Sequence, residues 1–152
     1  MIAVVVPAHN EEEHLDACLQ SLRLASRCAR LKAEAVVLVV VLDACTDRTA
    51  QVAQSRHATT LSINARNVGI ARAAGAQLAL SAGARWLAFT DADSVVATNW
   101  LSAQLRQPSI AWSAAPRVVT SARRNFRAPE GFGATLQRID LESGQGGEGA
   151  AA

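Results

Sequence analysis

The stretch "LAFTDADSVV" closes an apolar run with two carboxylates, Asp91 and Asp93, separated by a single alanine. Like charges held that close repel each other, and neither belongs in the interior of a strand. The pair needs a positive partner. Hard carboxylate oxygens suit Mg2+ or Mn2+, ions that keep several waters and take one or two carboxylates together with substrate phosphates. Asp91 and Asp93 are therefore the candidate metal ligands, and a phosphate-bearing compound is the ligand such a metal would bring.

Two more polar clusters follow apolar runs elsewhere. Pro7, Ala8, His9, Asn10 and Glu11 come after the run at 2–6, and Asp43 to Asp47 come after the run at 35–42. The segment 67–72, with Asn67, Gly69 and Arg72, adds a fourth piece. Any one of these carboxylates is explained as well by a helix or turn cap. Carboxylates after three separate strands point instead to one rim, because ligands of parallel α/β sheets bind outside the carboxyl ends of the strands. Asp43, ending its own strand, can there accept a hydrogen bond from a base or sugar.

The elements that must position these residues are legible as an alternation. Strands are expected at 2–6, 35–42, 59–63 and 85–90, with helices after the first, second, third and fourth. Leu15, Cys18, Leu19 and Leu22 fall at helical spacing, with Glu11, Glu12 and Glu13 expected in the first turn of that helix. Thr46 or Asp47 is the expected cap of a helix running to about Gln54, and Thr98 that of the helix after Asp93. The segment 35–42 is continuously apolar, as in a parallel strand buried on both faces. Alternating strand and helix imply an α/β fold with a mostly parallel sheet and right-handed crossovers.

Composition narrows the class. The chain has 152 residues, 50% of them hydrophobic and 4% aromatic, which suits one domain with an aliphatic core. A formal net charge of +2 gives no electrostatic reason to expect nucleic acid as a partner. Cys18, Cys28 and Cys45 are odd in number and far apart, against both a disulfide framework and a zinc site. Cys45 reads as a small loop filler, and His14 and His57 as helix-face or surface residues. The start "MIAVVVPAHN" lacks a basic leader, and no apolar run approaches the ~20 residues of a spanning helix. The expected location is cytoplasmic, at most peripheral at the inner face of the membrane.

In this order, "VVVPAHNEEEHLDACLQSL", "VVLVVVLDACTDRTAQVA", "NVGIARAAGA" and "WLAFTDADS" resemble the N-terminal half of a family 2 glycosyltransferase. The resemblance implies the three-layer, Rossmann-like GT-A fold and a nucleotide-diphosphate sugar, of UDP or GDP type, as donor. It implies that Pro7, Ala8, His9, Asn10 and Glu11 line the nucleotide pocket, with His9 where the family often has a base-stacking tyrosine. Asp43 matches the aspartate that reads the base. Arg72 and Gly75 resemble an Arg-Asn-x-Gly signature in which Ala73 replaces the asparagine. Asp91-Ala92-Asp93 is similar to the D-x-D motif: Asp93 would bind the metal, and Asp91 the ribose or the metal's water shell.

The same resemblance places the catalytic base and acceptor site on a C-terminal portion. After Asp93 the acids are only Glu130, Asp140, Glu142 and Glu148, and none forms an adjacent pair. The sequence therefore suggests a single domain over 1–142: a donor half at 1–105, a shortened part at 109–142, then a disordered Gly-rich tail at 143–152. A central segment would be missing between about Arg106 and Ser109. The acceptor and the catalytic base stay unassigned, Glu130 being the one modest candidate for a substitute base. A shortened half also leaves apolar surface, hence an expected self-association. Arg117, Arg123, Arg124 and Arg127 read as an exposed basic segment or as partners of a departing diphosphate.

Two other readings remain open at this stage. The first is a nucleotide-sugar binder that has lost turnover. The second is a haloacid-dehalogenase-type phosphatase, whose D-x-D-x-V pattern "DADSV" satisfies but whose downstream lysine is absent, Lys32 being the only lysine.

Overall fold

β-Branched residues dominate the first two strands, and both are buried along most of their length. The computed structural model describes residues 1–105 and the backbone of 118–120. Strand β1 (Ile2–Ala8) is buried throughout. It pairs in parallel with β2 (Val36–Asp43) on one side and with β4 (Trp86–Phe89) on the other. Strand β3 (Thr59–Ile63) extends the sheet beyond β2, giving the order β3-β2-β1-β4, all parallel. A separate antiparallel pair joins β5 (Ser94–Val96) to β6 (Val118–Thr120).

The two-residue period of a strand sorts β1 into two cores. Ile2, Val4 and Val6 face Leu15, Cys18, Leu19 and Leu22 of α1 (Leu15–Ser26), joined by Ala53 of α2 (Thr49–Ser55) and Leu101 of α4 (Trp100–Gln104). Ala3 and Val5, with Val39 and Val41 of β2, face Ala71 and Ala79 of α3 (Val68–Ser81). Helices on both faces of a parallel sheet make three layers, as the resemblance implied, and the alternation of strand and helix is as read from the sequence.

Several sequence expectations differ from the structure. The strand was expected to stop before Pro7, yet Pro7 lies inside β1, in register with Val41. It is tolerated because β4 pairs only with Ile2 to Val5, so at Pro7 the β4 side of β1 has no ladder left to lose. Glu11, Glu12 and Glu13 precede α1, whose first turn carries Asp16 instead. Thr98 does not cap α4; Asn99 takes that position, without a side-chain bond. The readings made for 106–117 and 121–152, which include the proposed missing segment, Glu130, the basic segment and the tail, lie outside the described residues.

Among the described side chains, Leu24, Val68, Ile70, Leu80, Phe89 and Val95 are large, apolar and 41–53% exposed. No helix among the described residues is long and apolar enough to cross a membrane.

Candidate functional site

Strand β1 runs three residues past its last pairing with β4, and this divergence opens the crevice of the sheet. It is also where the strand order reverses, the place where open α/β sheets bind ligands. The structure brings all the rim segments named from the sequence to this edge. His9, Asn10 and Glu11 follow β1, Asp43 ends β2, Asn67 and Gly69 open α3, and Asp91 and Asp93 follow β4.

The loops are locked to one another. His9 donates from Nδ1 to the Asp43 carbonyl at 2.5 Å. Asn10, held at φ 55°, accepts the Thr46 N–H at 2.7 Å; asparagine is among the few side chains at ease in that conformation. The Glu11 N–H donates to Thr49 Oγ1 at 2.8 Å, and Thr49 in turn donates to Asp47 Oδ1 at 2.5 Å. Asp47 also accepts the N–H groups of Thr49 and Glu12. The cap position of α2, expected at Thr46 or Asp47, is taken by Arg48 without a side-chain bond, while the Asp47 carboxylate ties the β1–α1 turn to the β2–α2 turn. Burial works to raise its carboxyl, but Thr49's hydroxyl and amide and the Glu12 amide outweigh it and hold the value low. Cys45 fills this loop as expected, its thiol donating to the Ala8 carbonyl at 3.3 Å.

Asp43 is only 4% exposed. Its Oδ1 accepts the N–H groups of Ala65 and Arg66 at 2.7 and 2.8 Å, and its Oδ2 accepts that of Asn67 at 2.8 Å. Burial alone would raise the carboxyl; the amides of Arg66, Asn67 and Ala65 win and hold it below the ordinary range. A carboxylate offers about four acceptor positions, so among the described residues three are taken and one, on Oδ2, is left. Asp43 thus organises the β3–α3 loop, a task its sequence position did not announce.

Arg72 stands one turn into α3 and reaches across to β4. Its Nη2 donates to Asp91 Oδ1 at 2.6 Å, with the two side chains 42% and 56% exposed. The first carboxylate of the pair therefore already has a positive partner within the chain. Asp93, half-buried, makes no hydrogen bond or ion pair with any described residue. Under this turn the Cys18 thiol donates to the Asp91 carbonyl at 3.5 Å. Burial, reinforced by Asp93 and Asp91, pushes that thiol up to about 12, so it is inert packing.

Among the described residues, no three His, Cys, Asp or Glu side chains gather to hold a metal by themselves. A divalent ion that takes one or two carboxylates and completes its shell with water and phosphate fits what is present. Asp93 is the open hard-oxygen donor for it, with Asp91 two residues before it. Sequence reasoning missed Thr49 and the Arg72–Asp91 pairing. The Asp-x-Thr spacing at 47–49 was the available signal for the first; nothing local marks the second.

The family model for glycosyl transferase family 2 matches residues 3–126. The chain belongs to glycosyl transferase family 2. No curated protein sequence matches it. Among solved structures, S. aureus TarS 1–349 is similar over 69% of this chain and 31% of its own, at 22% identity and a TM-score of 0.58. The complex of that protein with UDP-GlcNAc matches equally well over 69% of this chain and 30% of its own. Glucosyl-3-phosphoglycerate synthase from Mycobacterium tuberculosis, solved with Mn2+, UDP-glucose and phosphoglyceric acid, is 22% identical over 69% of this chain and 39% of its own, with a TM-score of 0.49. The family 2 chain described here spans less than a third of TarS 1–349. Its parallel sheet and the TarS likeness establish the GT-A fold over that portion, and family membership displaces the phosphatase reading.

Proposed function

We propose that this family 2 chain binds a nucleotide-diphosphate sugar, of UDP or GDP type, through Mg2+ or Mn2+ and transfers the sugar to an acceptor. The single observation that carries this reading is the placement of Asp93, an acid with no partner among the described residues, beside Asp91 at the crevice of a parallel sheet. Relatives of the fold bind such donors: S. aureus TarS has been solved with UDP and with UDP-GlcNAc.

In this proposal Asp93 holds the metal and Asp91 turns its remaining oxygen to the ribose. His9 stacks on the base, and the one acceptor position left on Asp43 Oδ2 reads it. Pro7, Ala8, Asn10, Glu11, Asn67, Gly69 and Arg72 shape the walls of the pocket. A divalent ion held by Asp93 would supply charge neutralisation for the diphosphate that leaves the anomeric carbon. The chain's own contribution is preorganisation: the locked loops hold the donor so that binding does not have to order them.

The experiment is calorimetry with UDP and GDP in the presence of Mn2+, beside an assay for release of nucleoside diphosphate from a nucleotide sugar. Metal-dependent binding that disappears in Asp93→Asn supports the site. Binding of equal strength in that variant refutes it. Metal-dependent release supports transfer, whereas tight binding without release assigns the chain as a binder alone.

A further inference from the structure

The two acids of the D-A-D turn are in different electrostatic states. Asp91 is neutralised by Arg72 at 2.6 Å, and Asp93 is not neutralised by any described residue. From this asymmetry, and resting on the metal site proposed above, we infer that Arg72 reserves Asp91 and so makes metal binding depend on the nucleotide diphosphate.

Arg72 is not a loosely tethered surface arginine. Its neighbour Ala71 is fully buried against the sheet, and Gly75 one turn later lets the helix lie close on Val5 and Val41. The start of the helix is fixed by Asn67, whose Oδ1 accepts the Ile70 N–H at 3.0 Å, and Asn67 is itself held by Asp43. The guanidinium Nε is buried without a hydrogen-bond partner among the described residues, so the group is laid against the protein with Nη2 directed at Asp91. A planar, permanently charged fork held this way is a competitor for any cation that approaches Asp91.

The consequence follows from charge. Two open acids one residue apart would present a doubly negative seat that takes a divalent ion without help. With Arg72 on Asp91 the seat is effectively singly negative, and one carboxylate is a poor ligand set for Mg2+ or Mn2+. The diphosphate must supply the missing negative oxygens, so metal and nucleotide enter as one unit and the metal alone is excluded. Arg72 is a positioning residue in this scheme, acting on the metal through Asp91.

The test measures Mn2+ alone, by the electron paramagnetic resonance signal of the free ion, on the full chain and on variants. In Arg72→Gln, and in Arg72→Met, which keeps the apolar stem, Mn2+ alone should bind about tenfold more tightly, because a neighbouring positive charge is gone and a second carboxylate is open. Arg72→Gln combined with Asp91→Asn should lose that gain, which shows it comes from Asp91. Adding UDP or GDP should tighten Mn2+ binding to the unaltered chain more than to Arg72→Gln. Unchanged or weaker Mn2+ binding in both single variants would overturn the inference. So would a gain that survives the double substitution. Failure of the underlying site reads differently: the unaltered chain would then bind Mn2+ no better with UDP or GDP than without, whatever Arg72 does.

Discussion

Asp43 accepts the backbone N–H of Asn67 at 2.8 Å, and Asn67 caps α3 three residues before Ile70. The end of β2 thereby sets the start of the helix that carries Arg72 to Asp91. Removing the carboxylate leaves the N–H groups of Ala65, Arg66 and Asn67 without their acceptor, and Arg66 at φ 47° without the contact that holds it there. Asp43→Ala should destabilise the fold by about 3 kcal/mol, in the range for hydrogen bonds to a charged group. Urea unfolding gives the number. Asp43→Asn, which keeps an acceptor oxygen, should lose less.

The same carboxylates set an acid limit. Glu34 lies at about 2, first because Arg85 hydrogen-bonds it, with burial opposing and the N-terminal amine assisting. Asp43 is lowered against its burial by three amides, and Asp47 against its burial by Thr49 and Glu12. A carboxylate lowered in the folded state contributes stability that is complete above its unfolded value and lost as pH falls through its folded one. The unfolded values are 3.8 for the aspartates and 4.5 for Glu34. The melting temperature should therefore hold above these and fall steadily as pH is lowered toward 2. Asp43→Asn should give a shallower fall, measurable by circular dichroism across the series; an unchanged slope would show that Asp43 does not share in it.

Much of this architecture could be seen in the residues themselves. Continuous Val and Leu in the segment that becomes β2 and helical spacing of Leu15, Cys18, Leu19 and Leu22 are local signals, and they located the sheet and its first helix. The rim acids were visible because polar residues stop apolar runs. Pairings across the rim were not. Arg72 and Asp91 are nineteen residues apart, and His9 and Asp43 thirty-four, so each is set by the sheet order and not by any neighbour in sequence. Strand β5 was missed for the same reason: three residues long, it exists through its partner β6, in register from Ser94 with Thr120 to Val96 with Val118. The acids at 11–13 resembled a helix start, but the turn they form is fixed from the start of α2 by Thr49 and from the turn before it by Asp47.

Thr49 is the least conspicuous residue of that turn and is completely buried. Its hydroxyl both accepts from the Glu11 N–H and donates to Asp47. Thr49→Val keeps the shape and deletes both bonds: the half-buried Glu11 N–H loses this acceptor, and Asp47 Oδ1 keeps only the N–H of residue 49. A loss of about 1–2 kcal/mol is expected from the two lost hydrogen bonds. Hydrogen exchange should locate it, with the Glu11 amide speeding up more than those of β2. Equal acceleration in both would mean that the residue serves the core and not the loop.

Gly75 tests how closely α3 lies on the sheet. A Cβ at this position would come within 2.8 Å of Val41 Cγ2 and closer still to Val5 Cγ1, both on strands that are themselves buried. In an exposed helix, alanine would stabilise relative to glycine by about 1 kcal/mol. Here the methyl must displace either two central strands or the helix, and overpacking of this kind costs about 1–3 kcal/mol. The two effects have opposite sign, and the contact should win: Gly75→Ala is expected to lower the melting temperature. Because Arg72 lies less than one turn away, a helix pushed outward also draws its guanidinium from Asp91. The variant should then bind Mn2+ alone more tightly than the unaltered chain while being less stable, a combination that propensity alone cannot produce.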